Sequence, residues 1–482
     1  MTFSHAPTAP EAVPSHDATA TNSRTSSITN RDIEKDPIDI GLSAPEYSSS
    51  EQAAPETPEK PTDYGDNEVA IPVPSQPANP LDPSAFPEGG LKAWTVVAGA
   101  VCCLFVSFGW INCIGVFQTY YETHQLQNYS SQEVAWIPST ESFMMFFGGV
   151  WIGRLYDNYG PRYLIMAGMF FHVFGLMMAS ISTKYYQFFL AQGVCSALGC
   201  SLFFYPAMSA VTTWFFKKRA LALGITASGS SLGGVVFPIM VERLIPQVGF
   251  GWTMRICAFL ILGLGTIACL TVVSRIPPRP KPVKAMDFFR PFTEPTFAIL
   301  AFGTFLTWLG LFVPFTFIIL ASRAHHVPNS LATYLVAIMN AASTFGRTIP
   351  PFLADRVGRF NVFLSMSLLS SVITLALWVP SSGTAATVVY ACIFGFSSGA
   401  VASILPAVIA QISNIHEIGV RTGALFSVAA VATLIGSPIA GQIIANDGYR
   451  SMQGFGGAIL AGGTVVYVVL WVRLGGYKGK KV

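Results

Sequence analysis

The sequence is short of charge. Only 11% of its 482 residues are Asp, Glu, Lys or Arg, while 52% are hydrophobic and the mean hydropathy is +0.51. A soluble domain carries roughly 25% charged residues. This chain has too few to coat a water-facing surface, which argues against a soluble enzyme, a nucleic-acid binder and a disordered scaffold. Other absences point the same way. The eight cysteines include no Cys-x-x-Cys pair, so neither a redox motif nor a zinc site is expected. No Walker loop, zinc-ligand spacing or nucleophile elbow is present, so neither ATP hydrolysis nor catalysis is indicated, and no cofactor or metal is expected. No apolar stretch follows a basic start at the N-terminus, so no cleaved signal peptide is expected.

The charge that is present is unevenly placed. Residues 1–90 hold 4 basic and 15 acidic residues, and residues 91–482 hold 24 basic and 10 acidic. The first segment also has 14 of the 32 prolines and only four aromatics, Phe3, Tyr47, Tyr64 and Phe86. It cannot bury enough apolar surface to offset the entropy of ordering and is expected to be an unstructured acidic tail. Beyond it the chain is organised by uncharged runs. Ala93 to Tyr121 spans 29 residues without charge, and Phe360 to His416 spans 57. About 20 apolar residues cross the hydrocarbon of a bilayer, and backbone hydrogen bonds must close within each crossing, which leaves helices.

Apolar windows between charge clusters define twelve spans, near 93–120, 133–155, 163–182, 186–212, 219–242 and 252–274, then 295–320, 329–352, 360–379, 384–411, 418–441 and 452–473. The reading is an all-α membrane protein. Its parts are a tail (1–90), a first six-helix half (91–274), a connector (275–294), a second half (295–475) and a basic C-terminal tail (476–482). Placing the tail in the cytoplasm puts seventeen Lys and Arg in the inner loops and C-terminus and five on the outer side. The positive-inside rule then predicts both termini in the cytoplasm. All eight cysteines fall inside spans as apolar packing residues, and Asn128-Tyr129-Ser130 forms a glycosylation triplet in the first outer loop.

The two halves repeat one another. Gly153-Arg-Leu-Tyr-Asp157-Asn-Tyr-Gly160-Pro-Arg162 lies between spans 2 and 3, and Pro351-Phe-Leu-Ala-Asp355-Arg356-Val-Gly358-Arg359 lies between spans 8 and 9. Asp157 to Asp355 and Gly160 to Gly358 are both offset by 198 residues, and Gly199 and Gly399 each stand seven residues before a proline. Duplicated halves suit alternating access, in which one half rocks against the other around a midplane site. An Asp at a helix end can meet an adjacent helix N-terminus and a loop Arg, latching one conformation.

This G-x-x-x-D-x-x-G-x-R loop and its degenerate second copy resemble the signature of the major facilitator superfamily. Pro87-Glu88-Gly89-Gly90, followed by Trp94, resembles the opening of the monocarboxylate porter-like family. The stretch Trp214-Phe215-Phe216-Lys217-Lys218-Arg219, followed by Gly224 and Gly229, resembles that family's signature between helices 4 and 5. The resemblance covers residues 87–475 and is nearest to the fungal branch. It implies a major facilitator fold and a secondary active transporter, with a small-molecule substrate and possibly a coupled proton. Proton-coupled lactate carriers of animals use a Lys late in helix 1 and an Asp and Arg in helix 8. Here Asn112 and Ser343 stand at the Lys and Asp positions, and only Arg347 matches. Lactate–proton symport by that mechanism is therefore not expected.

Arg347 stands inside span 8, where a charge is costly and a polar cavity or partner is required. The readings are binding an anionic substrate oxygen with its planar fork, snorkelling to the inner headgroups, or a structural bond to backbone carbonyls. Glu141 in span 2 could carry a proton, pair with a cationic group, be a neutral acid bonded to a neighbouring helix, or lie near the outer rim. Asn112 and Trp110 in span 1, Asn340 in span 8 and Trp308 in span 7 could line a cavity for an aromatic ligand, with helix packing as the alternative. His172 reads as a neutral packing or hydrogen-bonded residue. Gly224, Gly229, Gly233 and Gly234 form a small-residue stripe along span 5, expected to be a smooth contact between the moving halves. The leading reading is efflux of a fungal secondary metabolite at the plasma membrane. Uptake of a monocarboxylate or of a vitamin such as riboflavin is an alternative, as is a non-transporting nutrient sensor.

Overall fold

The computed structural model describes residues 86–476, apart from 279, 281–284, 326 and 381–382. The expected unstructured tail up to residue 85 and the basic stretch beyond 476 lie outside the described residues. Among the described residues the chain is mainly helical and contains no strand.

The first half opens with α1, built from Leu91–Val106, Phe108–Ile111 and Ile114–Thr123. α2 is also segmented, as Ser131–Val134, Trp136–Phe147 and Gly149–Tyr159, and α3 is Pro161–Ala179. α4 combines Tyr185–Phe188, a π-helical stretch Phe189–Ser196 and Ala197–Thr212. Next comes one continuous helical stretch, Arg219–Thr271, which at about 1.5 Å per residue would be about 80 Å long if straight. It cannot be straight, because Trp214 Nε1 donates to Val273 O at 2.8 Å and brings its two ends together. The reversal is at Gly249, whose φ of 78° falls in the left-handed region open to glycine. α5 is therefore 219–248 and α6 is 250–271.

The second half repeats this plan. α7 is Pro295–Ala324, and α8 is segmented into Asn329–Ala332, Leu335–Gly346 and Ile349–Val357. α9 is Arg359–Ile373 with a π-helical end, Thr374–Trp378, and α10 is Thr384–Gln411. Ile418–Arg473 turns at Gly448 (φ 83°) into α11, 418–447, and α12, 449–473. Eight helices are long and apolar enough to cross a membrane. Two of them double back, and α2 and α8 cross in pieces, which makes twelve passes among the described residues. The repeat reaches into detail: Pro238 and Pro438 interrupt α5 and α11, and Pro206 and Pro406 interrupt α4 and α10.

Two expectations change. Residues 86–90, assigned by sequence to the tail, are anchored at two points: Phe86 is buried, and Glu88 is tied to the loop before α5. The glycine stripe of α5 also splits. Methyls added at Gly229 and Gly233 would strike the carbonyls of Val101 and Phe105, so these two glycines seat α5 against α1 of the same half. Gly224 faces the other half, and Gly234 sits between Asn112 of its own half and Asn340 of the other. The stripe curves around α5 because the helical period carries successive glycines onto different neighbours.

Candidate functional site: a latch and a central cavity between the halves

The two loop aspartates stand at one end of the bundle, and each reaches across to the opposite half. Asp157 accepts from the backbone N–H groups of Gly419 and Val420 at 3.2 and 3.1 Å, at the start of α11. Asp355 accepts from Ala220 and Leu221 at 3.1 and 2.9 Å, at the start of α5. A helix N-terminus presents unpaired donors and partial positive charge, so a carboxylate there is a charge-assisted cap. Arg359 braces Asp355 at 3.0 Å and also donates to Phe216 O. Gly160 and Gly358 take φ values of 75° and 120° and make the turns that follow each aspartate. Arg162 and Arg356 point to the exterior, with Arg356 lying over the Phe352 ring at 4.2 Å.

Close backbone approach accompanies the latch. A methyl at Gly153 would collide with the Gly419 carbonyl, and one at Gly423 with the Gly149 carbonyl. In the other copy, a methyl at Gly224 would collide with the Arg347 carbonyl and lie 2.8 Å from Pro351. The pseudo-symmetry thus pairs Gly149 with Arg347 at the same 198-residue offset.

Each fifth helix is also held by an acid of its own half. Glu88 stands three residues before α1 and accepts from the N–H groups of Phe216, Lys217 and Lys218 at 2.7, 2.6 and 3.0 Å. Glu88 has φ 54° and is followed by left-handed Gly89 and Gly90, the backbone path that turns its carboxylate onto that loop. Arg219 lies over Phe86 and Phe216, and Trp94 packs on Phe215 at 5.2 Å. In the second half Glu294, just before α7, pairs with Arg421 near the start of α11, with one of the two bonds at 2.9 Å. The Arg421 guanidinium holds the Glu294 carboxyl below its ordinary range.

Further inside, a narrow central cavity opens between the halves, with walls from α1, α2, α4, α5, α7, α8, α10 and α11. Phe146, Trp308 and Phe426 form an aromatic cluster with centroids 5.5–5.9 Å apart. Arg347 is the one charged residue in this lining. Its Nε donates to Ser343 Oγ at 3.1 Å, and its Nη1 donates to Ala227 O at 2.9 Å and to Ser230. Its guanidinium lies 5.5 Å from the Phe108 ring centroid. Nη2 makes no hydrogen bond among the described residues, so two N–H groups remain free for a ligand.

The other candidates from the sequence are dispersed. Trp308 lines the cavity. Asn112 and Asn340 meet above it at Gly234, where an added methyl would fall 2.8 Å from Asn112 Nδ2 and 3.1 Å from Asn340 Cγ. Their amides donate to the Phe108 and Val336 carbonyls. Trp110 and Glu141 lie inside the first half, away from the cavity lining. His172 is buried between Ser196 Oγ, at 2.8 Å, and Val106 O, at 3.0 Å. Asn128 is exposed in the loop before α2.

A family model described as the Major Facilitator Superfamily matches residues 99–347 and 300–481. The chain belongs to this superfamily. Its relatives include "MFS-type transporter 1" of Ophiocordyceps sp., 54% identical over 402 residues, which are 83% of this chain and 90% of that protein. The "Fujikurins efflux protein" of Gibberella fujikuroi is 44% identical over 426 residues, 85% of this chain and 92% of that protein. Among solved structures, the human organic anion transporter MFSD10 shares the fold with a TM-score of 0.64 at 13% identity, covering 78% of this chain and 98% of that one.

The arrangement places two aspartate-capped helix starts at one end of the bundle and, further inside, a guanidinium beside an aromatic cluster. Sequence reasoning missed the clamp on α5. It read Glu88 and the Phe216–Arg219 loop as two separate signatures, whereas they are two sides of one contact. A lone acid beside a glycine pair ahead of a helix was the available signal. Glu294 carried no such mark.

Proposed function

We propose that this chain is an efflux carrier for a fungal secondary metabolite, of the monocarboxylate porter-like branch, in the plasma membrane with both termini cytoplasmic. The relatives support export, since the fujikurins protein is named for it. The observation that carries the substrate class is Arg347. It stands at the position that Gly149 holds in the other half, where the repeat is broken by a guanidinium with one free edge. A planar guanidinium with two unpaired N–H groups suits a carboxylate, an enolate or a carbonyl oxygen. The aromatic cluster beside it suits a flat, conjugated body, which stacks without a conformational penalty. The substrate class is therefore a planar organic molecule with an anionic or carbonyl oxygen. It is moved rather than chemically altered.

The test compares metabolites inside and outside cells with and without the gene. Export predicts that one compound accumulates inside the deletion strain and disappears from the medium, and that the wild-type gene restores it while an Arg347→Gln copy does not. An unchanged distribution of all metabolites sinks the export reading. Loss of a nutrient from inside the deletion strain would favour uptake instead.

A further inference from the structure

Glu141 is fully buried within the first half. Its Oε2 accepts from Gln192 Nε2 at 3.0 Å, and Gln192 Oε1 accepts from the Tyr121 hydroxyl at 2.5 Å. Gln192 belongs to the π-helical stretch of α4, and such distortions gather at functional sites. The other oxygen, Oε1, and the indole Nε1 of Trp110 are both buried without a conventional hydrogen-bond partner, and the two side chains interact across this gap. None of the ion pairs among the described residues includes Glu141.

The groups around it are uncharged in kind. α1 contributes Tyr121 and Cys113, and α4 contributes Cys200. His172 of α3 stands behind Trp110 with 6.0 Å between ring centroids, and Cys257 of α6 stands behind Cys113. α11, packed on α2, presents the Phe426 ring to Phe146 rather than a charge. A negative charge here has two neutral donors and no cation, whereas a proton on Oε1 removes the charge altogether. Burial of an uncompensated charge is strongly disfavoured, and a group so placed exchanges a proton instead.

The surroundings also give that proton a route of influence. Trp110 sits on the four-residue turn Phe108–Ile111, which interruptions at Ser107 and at Asn112–Cys113 separate from the rest of α1. The same turn carries Phe108, whose ring faces the Arg347 guanidinium and packs on Phe146 at 5.7 Å. A shift that lets Trp110 N–H follow the charge on Glu141 therefore moves the ring beneath Arg347.

We propose that Glu141, Gln192 and Trp110 form a proton-binding site, separate from the central cavity and coupled to it through the Phe108–Ile111 turn. The proton passes between Glu141 Oε1 and water, and no other bond is made or broken. The site itself stands on its geometry. Its use as the driving site rests on the export reading above.

Infrared difference spectroscopy of the purified full-length protein, titrated from mildly acidic to mildly alkaline pH, uses the proton as its own probe. The expected result is a neutral-carboxyl band that disappears on alkalinisation, is lost in Glu141→Gln and shifts in Trp110→Phe. Asp157→Asn and Asp355→Asn should leave it in place. Gln192→Leu retains the carboxyl and should also shift the band, so the result stays readable if Glu141→Gln fails to fold. Hydrogen exchange of the Phe108–Ile111 amides should follow the same titration in the wild type and lose its pH dependence in Glu141→Gln. A band indifferent to these substitutions, a Glu141 band that never titrates, or exchange that ignores it overturns the proposal. A titrating band in a protein whose deletion changes no metabolite would leave the proton site standing and remove the export reading.

Discussion

Asp157 and Asp355 each cap a helix belonging to the other half of the protein. Asp157 of the first half holds the start of α11 and Asp355 of the second holds the start of α5, with all four N–H to carboxylate distances between 2.9 and 3.2 Å. Each fifth helix is thus gripped twice, by the opposite half's aspartate and by its own half's Glu88 or Glu294. The first grip crosses between the halves and the second stays within one, so we propose that the aspartates set the conformational equilibrium while the glutamates hold each half together.

Asp157→Asn removes the charge and keeps a carbonyl acceptor. A charged cap contributes about 1 kcal/mol, so hydrogen exchange at Gly419 and Val420 should quicken while Ala220 and Leu221 stay protected. Asp355→Asn should give the mirror pattern. Transport should fall strongly in both at matched membrane expression. Loss of protection at both helices from either single change would mean that the two latches do not act separately.

Gly153→Ala places a methyl against the Gly419 carbonyl. The two backbones must separate, so the latch end should no longer close, and a cysteine placed at position 420 should label from that side much faster. Transport should be abolished with the protein still inserted. Normal labelling together with normal flux would show that the contact yields without consequence.

Arg347→Lys keeps the charge but supplies one nitrogen where the guanidinium uses two for protein contacts and offers a third. Transport should drop by an order of magnitude or more, since a fork-shaped site is worth roughly 1.5–3 kcal/mol per charged bond. Arg347→Gln should be worse. Wild-type kinetics in the Lys variant would remove Arg347 from substrate binding.

Glu88→Ala withdraws three acceptor contacts at once, and Glu294→Gln removes the charge from one ion pair. Both should lower thermal stability: the first releases the exposed N–H groups of Phe216, Lys217 and Lys218 to water and frees the loop before α5, and the second weakens the ion pair of the buried Arg421. The Glu294 carboxyl is depressed below the ordinary value. Its contribution is therefore complete above about pH 4.3 and is lost only as the pH falls through the depressed folded value. Stability near neutral pH should not depend on its titration. A melting difference between wild type and Glu294→Gln that changes around pH 7 would contradict this assignment.

Tags at residue 5 and at the C-terminus should both resist external protease in intact cells. Cleavage of either would reverse the orientation inferred from the basic loops.

Much of this protein was fixed by local composition. Uncharged runs longer than a bilayer is thick leave helices as the only spanning structure, and a repeat at constant offset makes two halves. The loop aspartates and the isolated Arg347 were visible because charge is rare in such a sequence and each charge stands out. What each aspartate caps was not visible, because Gly419 lies 262 residues from Asp157 and only the docking of the halves brings them together. The same docking decided which glycines face across the interface, since a stripe on a helix has several neighbours and sequence names none of them. It also separated Glu141 from Arg347, two charges that look alike in sequence. One has a free edge in the shared cavity, and the other is buried within a single half. Periodicity and charge are properties of a segment, whereas a partner is a property of the packing, and only the tertiary structure assigns it.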